Sequence, residues 1–202
     1  MVSEEEELGR VIPVIEQVRA RFDIPISLDT SKSAVASAGI AAGVDMINDV
    51  WGFKYDGNLA KVTADAGIPC ILMHNRKEAD YTDYIQNVLE DLAESVEIAR
   101  LSGITDEKIL LDPGIGFGKT YENNLEIMNN MEILHSFGYP LVLGASRKSV
   151  IGMTLDLPVS ERLEGTLVTT VIAVMKGAMF VRVHDIKENV RTIRMTEAII
   201  NK

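Results

Sequence analysis

The run Ile109-Leu110-Leu111-Asp112-Pro113-Gly114-Ile115-Gly116-Phe117-Gly118-Lys119-Thr120 reads as a short buried strand that opens into a glycine loop. Asp112-Pro113 ends the apolar run, so a carboxylate is delivered to the lip of the loop. Glycine at 114, 116 and 118 permits backbone conformations closed to residues with a Cβ. Two nucleotide-binding readings fail on spacing. A phosphate P-loop needs four residues between its first glycine and the Gly-Lys pair, and Gly114 to Gly118 leaves three. The dinucleotide fingerprint needs a third glycine at position 119, which is lysine. A plain turn ending in Gly-Lys-Thr is the bland alternative.

Outward from this strand, the same unit recurs. A helix ends at a glycine, a short apolar strand follows, and a polar loop closes the unit. The helix-ending glycines are Gly43, Gly67, Gly103, Gly138 and Gly177, where a left-handed residue lets the chain leave the helix. Strands are predicted at about 26–29, 44–50, 69–74, 108–112, 140–145 and 178–184. Ser3 with Glu6 is a capping-box pair that opens an amphipathic helix running to about Arg21, and a last helix spans 186–200. Strands alternating with helices mean βαβ units and parallel pairing. Polar residues gather at nearly every strand's carboxyl end: Asp29, Asn48, His74, Asp112, Ser146, Arg182 and His184. A barrel collects all its strand ends at one mouth, whereas an open doubly wound sheet gathers only those at its switch point. A barrel-type α/β fold is therefore expected, in a single domain over 1–202.

Composition narrows the partners. Of 202 residues 47% are apolar, enough for a sizeable core, and 30 acidic against 20 basic side chains give a net charge of −10. That balance argues against nucleic acid or an acidic membrane as the main partner. The one cysteine, Cys70, allows no intrachain disulfide and no multi-cysteine metal site, and suits a reducing cytoplasm. The longest apolar run, 171–181, is broken by Lys176 and too short to span a bilayer.

Several strand-end residues invite chemistry. Asp29 either caps the helix starting near Ser31 or, like Asn48, faces a ligand. An ionised aspartate accepts two parallel N–H donors, as from an exocyclic amine beside a ring N–H on a flat heterocycle. Arg182 and His184 alternate onto one strand face, where burial would be costly without an anion to meet them. Phosphate or diphosphate is the obvious guest. Ser146-Arg147-Lys148-Ser149 follows a strand directly and so belongs to the functional end. His135 is expected to serve a helix dipole, Met128 and Met131 to fill core, and Trp51 and Phe53 to pack a loop or stack on a ligand.

Taken together, Asp-Thr-Ser-Lys (29–32), Ile-Asn-Asp-Val (47–50), Asp-Pro-Gly-Ile-Gly-Phe-Gly-Lys (112–119), Gly-Ala-Ser-Arg-Lys-Ser (144–149) and Arg-Val-His-Asp (182–185) resemble the dihydropteroate synthases, in the same order. The resemblance runs from about Glu6 to the C-terminus. It implies a TIM-type (β/α)8 barrel, of which about six βα units are present and the first two strands missing. It implies a transferase of folate biosynthesis that joins 6-hydroxymethyl-7,8-dihydropterin diphosphate to 4-aminobenzoate, giving 7,8-dihydropteroate and diphosphate, and that is a sulfonamide target. On this resemblance Asp29, Asn48, Met73, Asp112 and Lys148 bind pterin, and Phe117, Ser146 and Lys148 border the aminobenzoate, with Gly116 shaping the loop. Arg182 and His184 hold the diphosphate, and Lys148, Arg182 and His184 are the catalytic set. Magnesium is implied as cofactor, with no metal ligand in this chain because the family's metal-binding Asn is absent. A cytoplasmic homodimer is expected. The family's Asn-Val-Thr-Pro-Asp-Ser-Phe-like and Gly-Glu-Ser-Thr-Arg-Pro-Gly-like motifs do not occur here. Two unpaired sheet edges are thus expected, and pterin binding is expected to outlast catalysis. A pterin-binding methyltransferase domain and a non-catalytic pterin-binding fragment are the competing readings. The first has no need of Ser146-Arg147-Lys148 together with Arg182 and His184.

Overall fold

A computed structural model describes residues 2–201. The chain divides into two compact units, 1–73 with 90–110, and 74–89 with 111–202. Eight α-helices and six strands lie among the described residues.

In the first unit, α1 (Glu4–Arg19) starts at Ser3, whose Oγ accepts the Glu6 N–H at 3.2 Å. Four glutamates fill the first turn, where the helix dipole favours negative charge. At its other end Arg19 donates to the carbonyls of Gly43 and Ile24, both at 3.1 Å, which anchors the entries to β1 (Ser27–Asp29) and β2 (Met46–Asp49). Between them lies α2 (Ser33–Ala41); after β2 come α3 (Leu59–Ala66) and β3 (Cys70–Met73). β1 pairs with β2, and β2 with β3, both in parallel. The register aligns Leu28 with Ile47 and Ile47 with Cys70, so one row of buried apolar side chains crosses the strands. The same register sets Asp29 beside Asn48. α2 lies so close over β1 that a Cβ on Gly39 would meet Leu28 Cδ2 at 2.5 Å. Cys70 is fully buried, and burial pushes its thiol up to about 12.

α4 (Tyr84–Leu101) and β4 (Ile109–Asp112) each run across the division, and β4 follows β3 in the strand order β1-β2-β3-β4. Within the second unit, Leu111 bridges Leu141 in parallel, and the Leu111 N–H donates to Pro140 at 3.0 Å. β5 (Val142–Leu143) and β6 (Phe180–Val181) pair in parallel. Around these strands are α5 (Tyr121–Asn129), α6 (Ser149–Leu155), α7 (Leu163–Met175) and α8 (Ile186–Ile200). The core draws on Leu111, Ile115, Ile127, Met131, Leu134 and Leu141, all fully buried.

Each expected strand is present, and the five helix-ending glycines all have positive φ. The strands expected at 140–145 and 178–184 are two residues long. Pro140 has no N–H to give, and β6 has β5 as its one neighbour among the described residues. Hydrogen bonding continues one step, from Arg182 N–H to Leu143 O at 2.9 Å, before the chain turns away. β1 likewise has one neighbour, β2.

Candidate functional site

The strand ends of the first unit carry Asp29, Asn48 and Met73. Asp29 does not cap α2: that helix starts after Lys32 with no side-chain cap. Instead its Oδ1 accepts from Asn48 Nδ2 across the register pair. A carboxylate offers no donor, so the amide nitrogen must face it, and this fixes the orientation of the Asn48 amide. Asn48 Oδ1 is then buried with no hydrogen-bond partner. Leaving such an acceptor unmet costs about 1–3 kcal/mol. Met73, the last residue of β3, is buried. Asp49, next to Asn48, belongs to the scaffold: it accepts from Ser31 Oγ and from the N–H groups of Trp51 (3.1 Å) and Phe53 (2.6 Å), while burial holds its carboxyl above the usual range. Trp51 stacks on Tyr55, and Phe53 is buried with φ +67°, so both pack the loop.

The second unit assembles a denser set around Asp112. This residue is buried, and its Oδ1 accepts the Gly114 N–H at 2.7 Å. Burial pushes its carboxyl up; the Gly114 N–H and the charges of Lys148, Lys119 and Arg182 oppose that shift. The glycine loop is bent tightly against residues 74–76. A Cβ on Gly114 (φ +72°) would fall 1.9 Å from His74 O, and one on Gly118 (φ +54°) 2.3 Å from Arg76 O. The backbone of the loop is also held by Asn124, whose Oδ1 accepts the Gly116 N–H at 2.6 Å. Lys148 caps α6 by position, donates from Nζ to Ile115 O, and sits over the Phe117 ring at 4.6 Å from its centroid. These contacts bring Asp112, Phe117 and Lys148 together.

Ser146 and His184 are also joined. Ser146 Oγ accepts the His184 N–H at 3.2 Å and lies 2.9 Å from His184 Nδ1. The hydroxyl can donate to Nδ1 or accept from it, and either way the pair fixes the orientation of the ring. Arg182 and His184 are exposed, contrary to the buried-face expectation: both lie past the end of β6, whose own residues Phe180 and Val181 are exposed and half-buried. Gly144 keeps the space between two of these residues clear, since a Cβ there would lie 3.6 Å from Asp112 Oδ2 and 3.9 Å from Arg182 Cβ.

Sequence reasoning missed the supports. Arg147, at φ +57°, turns away from Lys148 and pairs with Asp185 through two hydrogen bonds of 3.0 and 2.5 Å. That contact holds the Asp185 carboxyl below its ordinary range. The Arg147 N–H donates to Thr166 Oγ1, and the Arg147 carbonyl accepts from Arg162 Nη1 at 3.0 Å. Lys119 and Asn124 were not singled out either. The Thr120–Asn123 capping box was a legible signal that a helix begins there, with Asn124 in its first turn. His135 lies in the last turn of the 3-10 helix 131–137, where a dipole role was expected, and its ring Nε2 lies 2.8 Å from Lys176 O, tying that helix to the end of α7. Met128 and Met131 are core, as expected.

Against known proteins, the family model for pterin binding enzymes matches residues 1–184. The dihydropteroate synthase of Clostridium beijerinckii is 55% identical over the whole chain, which spans 76% of that relative. That of Bacillus subtilis is 49% identical, again over the whole chain and 70% of the relative. Among solved structures, the dihydropteroate synthase of Clostridium difficile in the presence of pteroic acid superposes with a TM-score of 0.98 at 45% identity, covering all of this chain and 77% of that one. A Yersinia pestis dihydropteroate synthase with a sulfonamide drug complex gives 0.95 at 38% identity, covering 99% and 75%. The fold is α/β with parallel strands, six βα units of the TIM-type barrel, and the chain belongs to the dihydropteroate synthase family of pterin-binding enzymes, transferases of folate biosynthesis.

Proposed function

We propose that Asp112 anchors the pterin ring in this chain's condensation of 6-hydroxymethyl-7,8-dihydropterin diphosphate with 4-aminobenzoate. The observation that carries the reading is a buried carboxylate whose Oδ1 is fixed by Gly114, with Gly144 leaving its Oδ2 side open. The two carboxylate oxygens suit the pterin's 2-amino and N3 donors. Lys148 donates to the ring's acceptors from above the glycine loop, and Phe117 and Ser146 border the aminobenzoate. Asp29, Asn48 and Met73 are assigned to the pterin on the first unit's own geometry. The orphaned Asn48 Oδ1 supports this, because a ligand donor would cancel its cost.

Arg182 and His184 hold the diphosphate. The bond between the pterin methylene carbon and the diphosphate oxygen breaks with its electron pair leaving on oxygen, and the ring nitrogens delocalise the resulting cation. The aminobenzoate nitrogen then bonds to the methylene and loses a proton to the departing anion. The protein's part is preorganised charge, anionic at the ring and cationic at the leaving group. Among the described residues no three His, Cys, Asp or Glu side chains gather to hold a metal. Magnesium enters this reading as a companion of the substrate's diphosphate, whose oxygens supply ligands to it.

A cytoplasmic homodimer completes the reading. No described helix is long and apolar enough to cross a membrane. An apolar groove of about 430 Å³ lined by Leu125, Met128, Val150, Ile151, Val168 and Ile172 supports contact between copies. The test is turnover: the chain with both substrates should release one diphosphate per dihydropteroate formed. Consumption of the pterin diphosphate without dihydropteroate would refute the reading.

A further inference from the structure

Lys119 has no part in the chemistry set out above, yet its ammonium lies in the tightest corner of the second unit. Nζ is 2.7 Å from His74 Nδ1, donates to Phe117 O at 3.0 Å, and lies 3.4 Å from His74 O. An ammonium has no acceptor, so Nδ1 must accept, and the neutral His74 ring carries its proton on Nε2. His74 is among the largest fully buried side chains and therefore a rigid partner. It is also tied to the strand by its own N–H, which donates to Asp112 O at 2.9 Å. A Cβ on Gly114 would meet both His74 O and, at 3.3 Å, Lys119 Nζ. The lysine head thus sits against the very residue whose N–H meets Asp112 Oδ1.

We propose that Lys119 is a positioning residue for pterin recognition: clamped on His74 Nδ1, it holds the glycine loop in the bend that aims the Gly114 N–H at Asp112, and keeps that carboxylate charged. The inference rests on Asp112 being the pterin anchor. Burial works against ionisation of Asp112, and the groups that favour it are the Gly114 N–H, Lys148 at the start of α6, Lys119, and Arg182 beyond β6. His74 faces the same corner as a neutral acceptor. Removing Lys119 subtracts one cation and frees the loop that supplies the one N–H.

The test is the affinity of the chain for 6-hydroxymethylpterin, which lacks the diphosphate, measured by calorimetry between about pH 5 and 8. Protonation of Asp112 weakens binding on the acid side. Taking away an opposite charge raises an aspartate's pKa, so in Lys119→Met this acid limb should move to higher pH, a loss of affinity at a fixed acidic pH that shrinks as pH rises. His74→Phe, which deletes the acceptor, should move the limb the same way. His74→Asn, whose side-chain oxygen takes the place of Nδ1, should restore it. A loss equal at every pH, or a limb unmoved in Lys119→Met and His74→Phe, would overturn the proposal. The His74 pair decides the matter should Lys119→Met not fold. Failure of the anchor reading looks different: the unaltered chain would bind the pterin with no acid limb, or not at all.

Discussion

The two units meet the same problem, a polar residue at a buried strand end, in opposite ways. In the first, Asn48 spends its amide N–H on Asp29 and leaves Oδ1 buried and unmet. In the second, Asp112 is provided for by a backbone N–H and three cations, and its neighbours are cross-tied through Lys148 to Ile115, Ser146 to His184 and Arg147 to Asp185. An isolated amide can stay unsatisfied at a cost of about 1–3 kcal/mol. A buried charge without partners costs several times that, so the carboxylate needs an apparatus and the amide does not. The residue that bears charge therefore dictates the architecture around it.

The sharpest way to break this contrast is Asp112→Asn, which keeps the shape and removes the charge. Two charge-assisted hydrogen bonds are lost, and pterin affinity should fall by about 3 kcal/mol, roughly a hundredfold, in a calorimetric titration. A smaller loss would mean that the apparatus serves folding alone. Next comes Gly114→Ala, which forces a Cβ toward His74 O in a left-handed backbone. Denaturant unfolding should show a loss of about 2–3 kcal/mol, because overpacking and φ strain add. Arg182→Ala should weaken the diphosphate-bearing pterin by roughly tenfold, the scale of one charge-assisted contact, while leaving the bare pterin within about twofold. Equal losses for both ligands would merge the roles that the proposal separates.

On the first unit's side, Asn48→Leu removes the orphaned acceptor. Stability without ligand should change by less than about 1 kcal/mol, as the lost Asp29 contact offsets the relieved burial, while pterin affinity falls about tenfold. A variant that binds normally would reduce the orphan to a packing accident. The smallest effect belongs to Arg147→Gln. Asp185 has a depressed carboxyl because of Arg147, so their pairing stabilises the fold above the ordinary aspartate range and loses that contribution as pH falls through the lowered value. Unfolding curves of the two proteins should accordingly differ near neutrality and converge in acid.

Much of this was legible in the residues. The glycines ending helices and the apolar runs after them located five of the six strands, because periodicity and left-handed exits are local properties. Five motifs in order pointed to the family. The lengths of β5 and β6 were not legible, since ladder length depends on which neighbours a strand finds. Nor was the exposure of Arg182 and His184: alternation gives the face of a strand and says nothing of what covers it. The roles of Lys119, Asn124 and Arg147 were hidden for a related reason. Lys119 and Arg147 act through partners distant in sequence, His74 and Asp185, and Asn124 through Gly116 across the bend of the loop, and no local pattern announces any of these contacts.

Cys70 gives the first unit a built-in reporter. It is the one thiol in the chain, fully buried in the row that joins Leu28 and Ile47, and too poorly ionised to react while covered. A thiol reagent therefore modifies the protein when that row of strands parts, and the labelling rate counts openings. Pterin should slow the labelling to the extent that it draws Asn48 into use. Ligand occupancy at a strand end could then be timed by the alkylation of a sulfur that never meets the ligand.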